Sequence, residues 1–250
     1  IVITGGNGLL GDIIAKTVKE NNGVPIILDI KNKRTKNKFF KVDITSEEEV
    51  KKASQEILKK YKSVYALINN AANNEPFRKI NNTKVDNFEK FNLERWHKDL
   101  NVGLTGAFLC SKYFGPLILR NKKGGTIINI SSDLGLIAPY QKLYEIKKKN
   151  KIIRNKKPIS YSVVKSGLIG LTKYLSTYWS DKNIRCNCIC PGGIMTNQKK
   201  DFQNKLKRLI PLKRMANKND YKSTILWMLS EKTEYLNGSI IAVDGGRTAW

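Results

Sequence analysis

Histidine is almost absent from this 250-residue chain, in which His97 stands alone. Set between Arg95 and Lys98 in an amphipathic stretch, it reads as a surface side chain. Without a second imidazole, no Ser–His–Asp set and no histidine-based metal centre can be assembled, so the hydrolase and metalloenzyme readings fall away. Cysteine is scarce as well. Of Cys110, Cys186, Cys188 and Cys190, the last three alternate along one segment. Alternate strand residues share a face roughly 6.6 Å apart, too linear for a tetrahedral zinc site. They read as small buried thiols of a reducing compartment, with no disulfide framework. No apolar run approaches the ~20 residues that span a bilayer, and no secretory signal is recognisable. A cytoplasmic protein with no membrane partner is expected. The chain opens directly on the strand-like Ile1-Val2-Ile3 without Met, so a few residues are expected to precede it.

Acidic residues are also few, 21 against 46 basic ones, for a net charge of +25. A polyanion-binding surface is one reading. The basic residues, however, are 37 Lys and only 9 Arg, beside 25 Asn, a profile expected from AT-rich codons. Nucleic-acid readers lean on Arg for bidentate contacts, so no nucleic-acid partner is expected. The charge still steers anionic small molecules toward the protein.

What is present is a regular alternation of short apolar runs with amphipathic stretches. Strands are expected at 1–3, 24–28, 39–42, 64–68, 125–130, 184–189 and 239–243. Between them lie helices from Leu10, from Ser46 to about Lys60 behind a Ser46/Glu49 capping box, over 93–120, over 161–179 and over 220–230. Near-continuous apolar strands separated by helices predict one α/β domain over 1–250, a Rossmann-type doubly wound parallel sheet of about seven strands with helices on both faces. In such a sheet ligands bind beyond the carboxyl ends of the strands.

The residues with chemistry lie just after strands. Thr4-Gly5-Gly6-Asn7-Gly8-Leu9-Leu10-Gly11 joins a strand to a helix. Gly5, Gly8 and Gly11 let the backbone turn and approach a pyrophosphate at the helix N-terminus. Asp29, eighteen residues later, suits both hydroxyls of an adenosine ribose and would repel a 2′-phosphate. Lys31, Lys33 and Arg34 follow, able to clamp a phosphate or simply to be solvated. NAD is favoured over NADP. Farther on, Tyr161 and Lys165 lie one helical turn apart, so phenol and ammonium share a face. Bringing a phenol from about 10 to about 7 takes roughly 4 kcal/mol, which a nearby Lys⁺ can supply. Tyr144 and Lys148 repeat the spacing. Lysines 147–149 and 151 follow Tyr144 with no apolar period, whereas an apolar helix follows Tyr161, which selects Tyr161 as the base.

Taken in order, these motifs resemble the short-chain dehydrogenase/reductase family over essentially the whole chain. The set comprises the glycine turn, Asp43, Asn69-Asn70-Ala71-Ala72, Asn101-Val102-Gly103, Ser131-Ser132, Tyr161-x-x-x-Lys165, Pro191-Gly192-Gly193 and Val243-Asp244-Gly245-Gly246. The resemblance implies that Tyr161 is the general acid/base and that Ser132 orients the substrate oxygen. It implies that Lys165 holds the nicotinamide ribose and lowers the Tyr161 pKa, and that Asn101 anchors a water relay to Lys165. It assigns Gly5, Asn7, Gly8, Leu10, Gly11, Asp29, Asp43, Ile44, Asn70, Ala71, Ala72, Pro191, Gly192, Ile194 and Thr196 to the cofactor, with Asp43 on adenine and Ile194 and Thr196 at the carboxamide. Relatives pair through the two helices at 93–120 and 161–179, which implies a homodimer or homotetramer.

Two features depart from the family pattern. Leu9 stands where the middle glycine is usual, with Gly8 one residue early. The gap from Ser132 to Tyr161 is 29 residues where about a dozen is usual, an insertion of roughly 16 residues within 133–160 at the substrate pocket. It carries Lys142, Lys147, Lys148, Lys149, Lys151, Arg154, Lys156 and Lys157 with Tyr140 and Tyr144. Such a segment either binds a phosphorylated or carboxylated sugar, with Tyr140, Tyr144 and Gly193 as contacts, or is a solvated loop. The stretch from Leu136 to Glu145 and the Asp244–Trp250 ending resemble the branch associated with bacterial flagellin modification and surface polysaccharides. The expected activity is an NAD-dependent oxidoreductase acting on a hydroxyl or carbonyl of a sugar or sugar phosphate. The alternatives are a 3-oxoacyl-carrier-protein reductase and a non-catalytic polyanion-binding protein on the same fold.

Overall fold

The protein is described by a computed structural model over residues 1–32, 37–73, 87–148 and 151–250. Seven strands form one parallel sheet: β1 (Val2–Thr4), β2 (Ile26–Asp29), β3 (Lys38–Lys41), β4 (Ala66–Asn69), β5 (Gly125–Ile130), β8 (Ile184–Pro191) and β9 (Ile240–Val243). Their spatial order is β3-β2-β1-β4-β5-β8-β9, the doubly wound arrangement expected from the sequence. The order reverses between β1 and β4, which opens a crevice at their carboxyl ends.

Strand alternation divides the core. Val2 sits in register with Ile26 and Leu67, and all three face one side of the sheet. Ile3, Ile27 and Ile68, one residue on, face the other. On the first side lie α2 (Glu47–Tyr61), α4 (Gly106–Ile118) and α5 (Ile159–Tyr178), which bring Val50, Ile57, Phe114 and Leu175. The second side is covered by α1 (Leu9–Glu20) and α7 (Lys222–Leu229), through Ile14, Val18, Ile225 and Met228. Each fully buried aliphatic side chain contributes roughly 1.5–3 kcal/mol, so the two packed layers fix the strand ends that carry the site.

The long amphipathic region divides into α3 (Leu93–Leu100), a π-helical turn over Asn101–Thr105, and α4. The Ser46 cap forms, its hydroxyl accepting from the Glu49 N–H at 3.3 Å, but the reciprocal half of the box does not. The Glu49 carboxylate accepts instead from the Asp43 N–H at 2.8 Å, tying α2 to the end of β3. The sequence reading missed α6 (Lys200–Arg208) and an antiparallel hairpin of β6 (Glu145–Lys148) and β7 (Lys151–Arg154), which lies apart from the main sheet. All four cysteines are free and buried. The Cys188 and Cys190 sulfurs approach to 4.0 Å, closer than the strand repeat because their rotamers lean together. Among the described residues, no helix is long and apolar enough to cross a membrane.

Candidate active site

The glycine turn lies at the amino end of α1, beside the crevice. Gly5 adopts φ +60°, and a Cβ there would stand 2.8 Å from the Ala71 Cα. At Gly11 a Cβ would fall 2.3 Å from the Gly5 carbonyl oxygen. Any side chain at either position would fill the space in which the backbone approaches a ligand. Gly8 is different: exposed, it precedes α1 as its N-cap and meets only the Gly5 oxygen at 3.1 Å. Gly6, which sequence reasoning passed over, is closed off by Ile27 Cδ1 at 2.5 Å from its would-be Cβ. Leu9 is exposed and Leu10 turns partly into the core.

The other cofactor candidates surround this turn. The Asp29 carboxylate accepts from the Asn7 N–H at 3.0 Å and the Lys31 N–H at 3.1 Å, so the end of β2 is fixed against the turn. The Asn7 amide also donates to the Lys31 carbonyl. Lys33 and Arg34 lie outside the described residues. Asn70 donates from its amide to the Thr4 and Gly5 carbonyls, each at 3.0 Å. The Thr4 hydroxyl in turn accepts from the Asn70 and Ala71 N–H groups at 3.0 Å. These bonds hold the ends of β1 and β4 together. Ala72 is exposed. Asp43 is exposed and caps its own loop, accepting from the Thr45 N–H and hydroxyl. Ile44 is buried in the core against Gly106, so its side chain does not face the crevice. At the far end, Pro191 is buried, a Cβ on Gly192 would stand 2.8 Å from the Asp244 Cα, and Ile194 bridges to Ala216. Thr196 is exposed, its N–H donating to the Gln198 side chain at 2.7 Å. A side-chain-free cradle at a helix N-terminus, with a carboxylate fixed beside it, fits a nicotinamide dinucleotide.

The candidate reacting residues gather where β5 ends. Ser132 follows that strand, while Tyr161 and Lys165 project from adjacent turns of α5. Lys165 is buried, and its ammonium donates to the Ile130 carbonyl at 2.7 Å. Burial pushes its pKa down to about 8. Ser132 lies near the Tyr161 phenol, and the Lys165 nitrogen lies 5.8 Å from its ring centroid. The expected depression of the Tyr161 pKa is not found. Burial pushes the phenol up, the nearby Ser132 hydroxyl opposes this, and Asp133 adds to it. Lys165 is turned toward the β5 carbonyl and does not offset the loss of water around the phenol.

Ser132 brings a neighbour that sequence reasoning overlooked. Its hydroxyl donates to the Asp133 carboxylate at 2.7 Å, and Asp133 forms a buried ion pair with Arg247 from the chain's last turn. The available signal was a carboxylate next to Ser132 in an otherwise apolar segment, with a single Arg in the Asp244-Gly-Gly-Arg ending. Asn101 opens the π-helical turn that packs against α5. Its side chain is exposed and accepts from Thr105 at 3.5 Å, while its carbonyl takes the Gly106 N–H. Gly103 and Leu104 of the π-helical turn face α5: a Cβ on Gly103 would meet Val164 at 2.4 Å, and one on Gly167 would meet Leu104 at 3.0 Å.

The rival pair separates by local structure. Tyr144 ends a 3₁₀ turn (Gln141–Tyr144) and Lys148 ends β6, so no helical face joins them. Tyr144 is buried against Phe202 of α6, ring centroids 5.9 Å apart, within an apolar cluster containing Leu206, Ile210 and Met215. Burial pushes its phenol well up. Tyr140 is exposed, and a Cβ on Gly193 would meet Leu206 of the same cluster at 2.7 Å. Lys149 of the insertion lies outside the described residues. At the insertion's exit the Lys157 ammonium lies 3.6 Å from the centroid of the Tyr161 ring.

Comparison with known proteins gives the site its setting. The family described as short chain dehydrogenase matches residues 1–144, and the family described as enoyl-(acyl carrier protein) reductase matches residues 148–248. A Campylobacter coli protein named post-translational flagellin modification protein A is 29% identical, covering 98% of this chain and 96% of its own. A 3-oxoacyl-[acyl-carrier-protein] reductase of Aquifex aeolicus is 28% identical, covering 98% of this chain and 86% of its own. In three dimensions, a short chain dehydrogenase of Leptospira borgpetersenii with bound NAD⁺ superposes with a TM-score of 0.84. That match is 29% identical and covers 99% of this chain and 91% of the other. With the glycine cradle, the Ser132–Tyr161–Lys165 cluster and these matches together, the chain belongs to the short-chain dehydrogenase family and is an oxidoreductase of the NAD(P)-binding kind.

Proposed function

We propose that the protein is an NAD-dependent oxidoreductase acting on a hydroxyl or carbonyl of an anionic sugar or sugar phosphate, in the cytoplasm. The observation that carries the reading is the insertion, whose exit sets a lysine ammonium on the face of the catalytic phenol. The flagellin-modification relative supports a place in making surface glycans.

The glycine cradle and Asp29 would hold the dinucleotide, Asp29 accepting from the adenosine ribose hydroxyls and disfavouring a 2′-phosphate. When bound, NAD supplies or accepts the hydride. Tyr161 keeps its proton at neutral pH because burial raises its pKa, so it stands ready to protonate a substrate carbonyl oxygen; in the reverse direction it takes up the hydroxyl proton. Ser132, held by Asp133, orients that oxygen. Lys165 holds a positive charge behind the phenol and favours the phenolate when it forms. A homodimer or homotetramer is supported by apolar surface on α4 and α5, where Phe108, Tyr174 and Tyr178 are exposed.

A second reading is a 3-oxoacyl-carrier-protein reductase, favoured by the Aquifex relative and by a net charge of +25 suited to an acidic carrier. Binding and turnover separate the two. NAD(H) fluorescence titration should show binding that Gly5→Val abolishes, followed by NAD-linked turnover with phosphorylated or carboxylated sugars. Absence of nucleotide binding ends the oxidoreductase reading. A strong preference for NADPH with acetoacetyl thioesters selects the second one.

A further inference from the structure

We infer that Cys188 and Cys190 form a two-sulfur binding site for a soft monovalent cation of the Cu(I) kind, set beneath the candidate active site. It stands apart from the oxidoreductase reading, because metal binding needs no turnover.

The two residues alternate along β8, so both side chains face the same layer of the fold. Alternate Cα atoms of a strand lie roughly 6.6 Å apart, yet these sulfurs approach to 4.0 Å. Rotamers turned toward each other thus hold them at the separation of a chelate. Metal–thiolate bonds of about 2.3 Å put the sulfurs of a linear pair ~4.6 Å apart, and a separation of 4.0 Å corresponds to a bent pair at about 120°. Soft thiolate ligands select Cu(I), which two of them can hold, whereas structural zinc takes four. Among the described residues no group of three or more His, Cys, Asp or Glu gathers, so the pair is matched to a two-coordinate ion.

Their surroundings set these thiols apart from the other two. Burial pushes the Cys110 thiol up to about 12 and raises Cys186 as well, which leaves both inert. Cys188 is also raised, first by its contact with Cys190, and that same contact pulls Cys190 below the ordinary thiol value. The pair therefore shares one proton, Cys188 keeping it and Cys190 tending toward the thiolate that binds metal. Ser131 lies beside both sulfurs, and its N–H donates to the Ile189 carbonyl between them at 2.9 Å. Lys165 is within electrostatic reach of both. The opposing charge near Cys190, Asp133, is paired with Arg247. On binding, two metal–sulfur bonds form, the two thiol protons leave to water, and no electron is transferred. The resulting bis-thiolate carries one negative charge, which the Lys165 ammonium offsets.

The test titrates the full-length protein, anaerobically and with ascorbate present, against the coloured Cu(I) complex of bicinchoninate. The native protein should withdraw one Cu(I) per chain. Cys188→Ser and Cys190→Ser should each weaken binding about a hundredfold or more, since each removes half of the ligand set. Cys110→Ser and Cys186→Ser should leave it unchanged. Failure of the native protein to compete with the chelator would overturn the inference. So would full binding in the Cys188→Ser/Cys190→Ser double variant, or an equal loss in Cys186→Ser, which would assign the metal to another set of thiols. Circular dichroism shows whether each variant folds. If the serine variants misfold, X-ray absorption of the Cu(I)-loaded native protein still decides: two sulfur neighbours are expected, and nitrogen or oxygen neighbours would overturn the assignment.

Discussion

Arg247 offers the sharpest test of how the site is held together. It lies 6% exposed and its partner Asp133 3% exposed, so the ion pair sits almost wholly out of water. The Asp133 carboxylate has two further donors, the Ser132 hydroxyl at 2.7 Å and the Leu134 N–H at 2.8 Å. Replacing Arg247 by Met keeps much of the side-chain volume but leaves a buried carboxylate without its cation. Removing one partner of a buried pair costs about 3–5 kcal/mol. In a chain of this size each kcal/mol moves the midpoint by about 2–4 °C, so Arg247→Met should lower Tm by roughly 6–20 °C. The tail itself stays anchored, because Asp244 accepts from the Gly246 and Thr248 N–H groups at 2.9 Å. The cost should therefore come from the orphaned charge. The double variant Asp133→Asn/Arg247→Met removes that charge and should recover more than half of the lost stability. Thermal and urea unfolding followed by circular dichroism, at one protein concentration, give both numbers. An Arg247→Met midpoint within about 2 °C of the native one would refute the reasoning, as would strictly additive effects in the double variant.

Three further outcomes follow from the same geometry. Tyr161→Phe should abolish turnover while leaving NAD binding intact, whereas Tyr144→Phe should mainly raise KM; equal losses of kcat would show that the two tyrosines had been misassigned. Lys165→Met should be more stable relative to the native protein at pH 7.5 than at pH 10.5. The folded pKa of about 8 lies below the unfolded value of 10.5, so the unfolded chain binds more protons in that window and native stability gains as pH rises through it. The gain approaches about 3 kcal/mol at 1.36 kcal/mol per unit, and a gap independent of pH would contradict it. Light scattering should show a dimer or tetramer that Phe108→Glu or Tyr174→Glu weakens; a monomeric native protein would remove the basis for this.

How much could be read in advance depended on whether the determinant was local. Strands such as Ile127 and Ile128 announce themselves because consecutive residues must fill opposite layers of one sheet. The Gly5 and Gly11 positions were readable for a similar reason, since a side chain at either collides with backbone. The hairpin of β6 and β7 was not legible. None of its described side chains joins the main core, and pairing between 145–148 and 151–154 leaves only a faint alternation in sequence. The π-helical turn that opens at Asn101 was not legible either, because it turns on the choice of backbone partner rather than on residue type.

The electrostatics of the phenol were the least legible part, because they are set by residues far apart in the chain. One helical turn predicted that Lys165 would pull the Tyr161 pKa down, and that inference assumed the ammonium points at the hydroxyl. It points to the Ile130 carbonyl instead, across 35 residues of sequence. Asp133, brought to Ser132 and fastened by Arg247 across 114 residues, adds a negative charge on the other side. The phenol therefore rests protonated, and the positive charge nearest its ring comes from Lys157 of the insertion. In this chain a lysine of the segment that departs most from the family pattern lies closer to the Tyr161 ring than the lysine the pattern supplies.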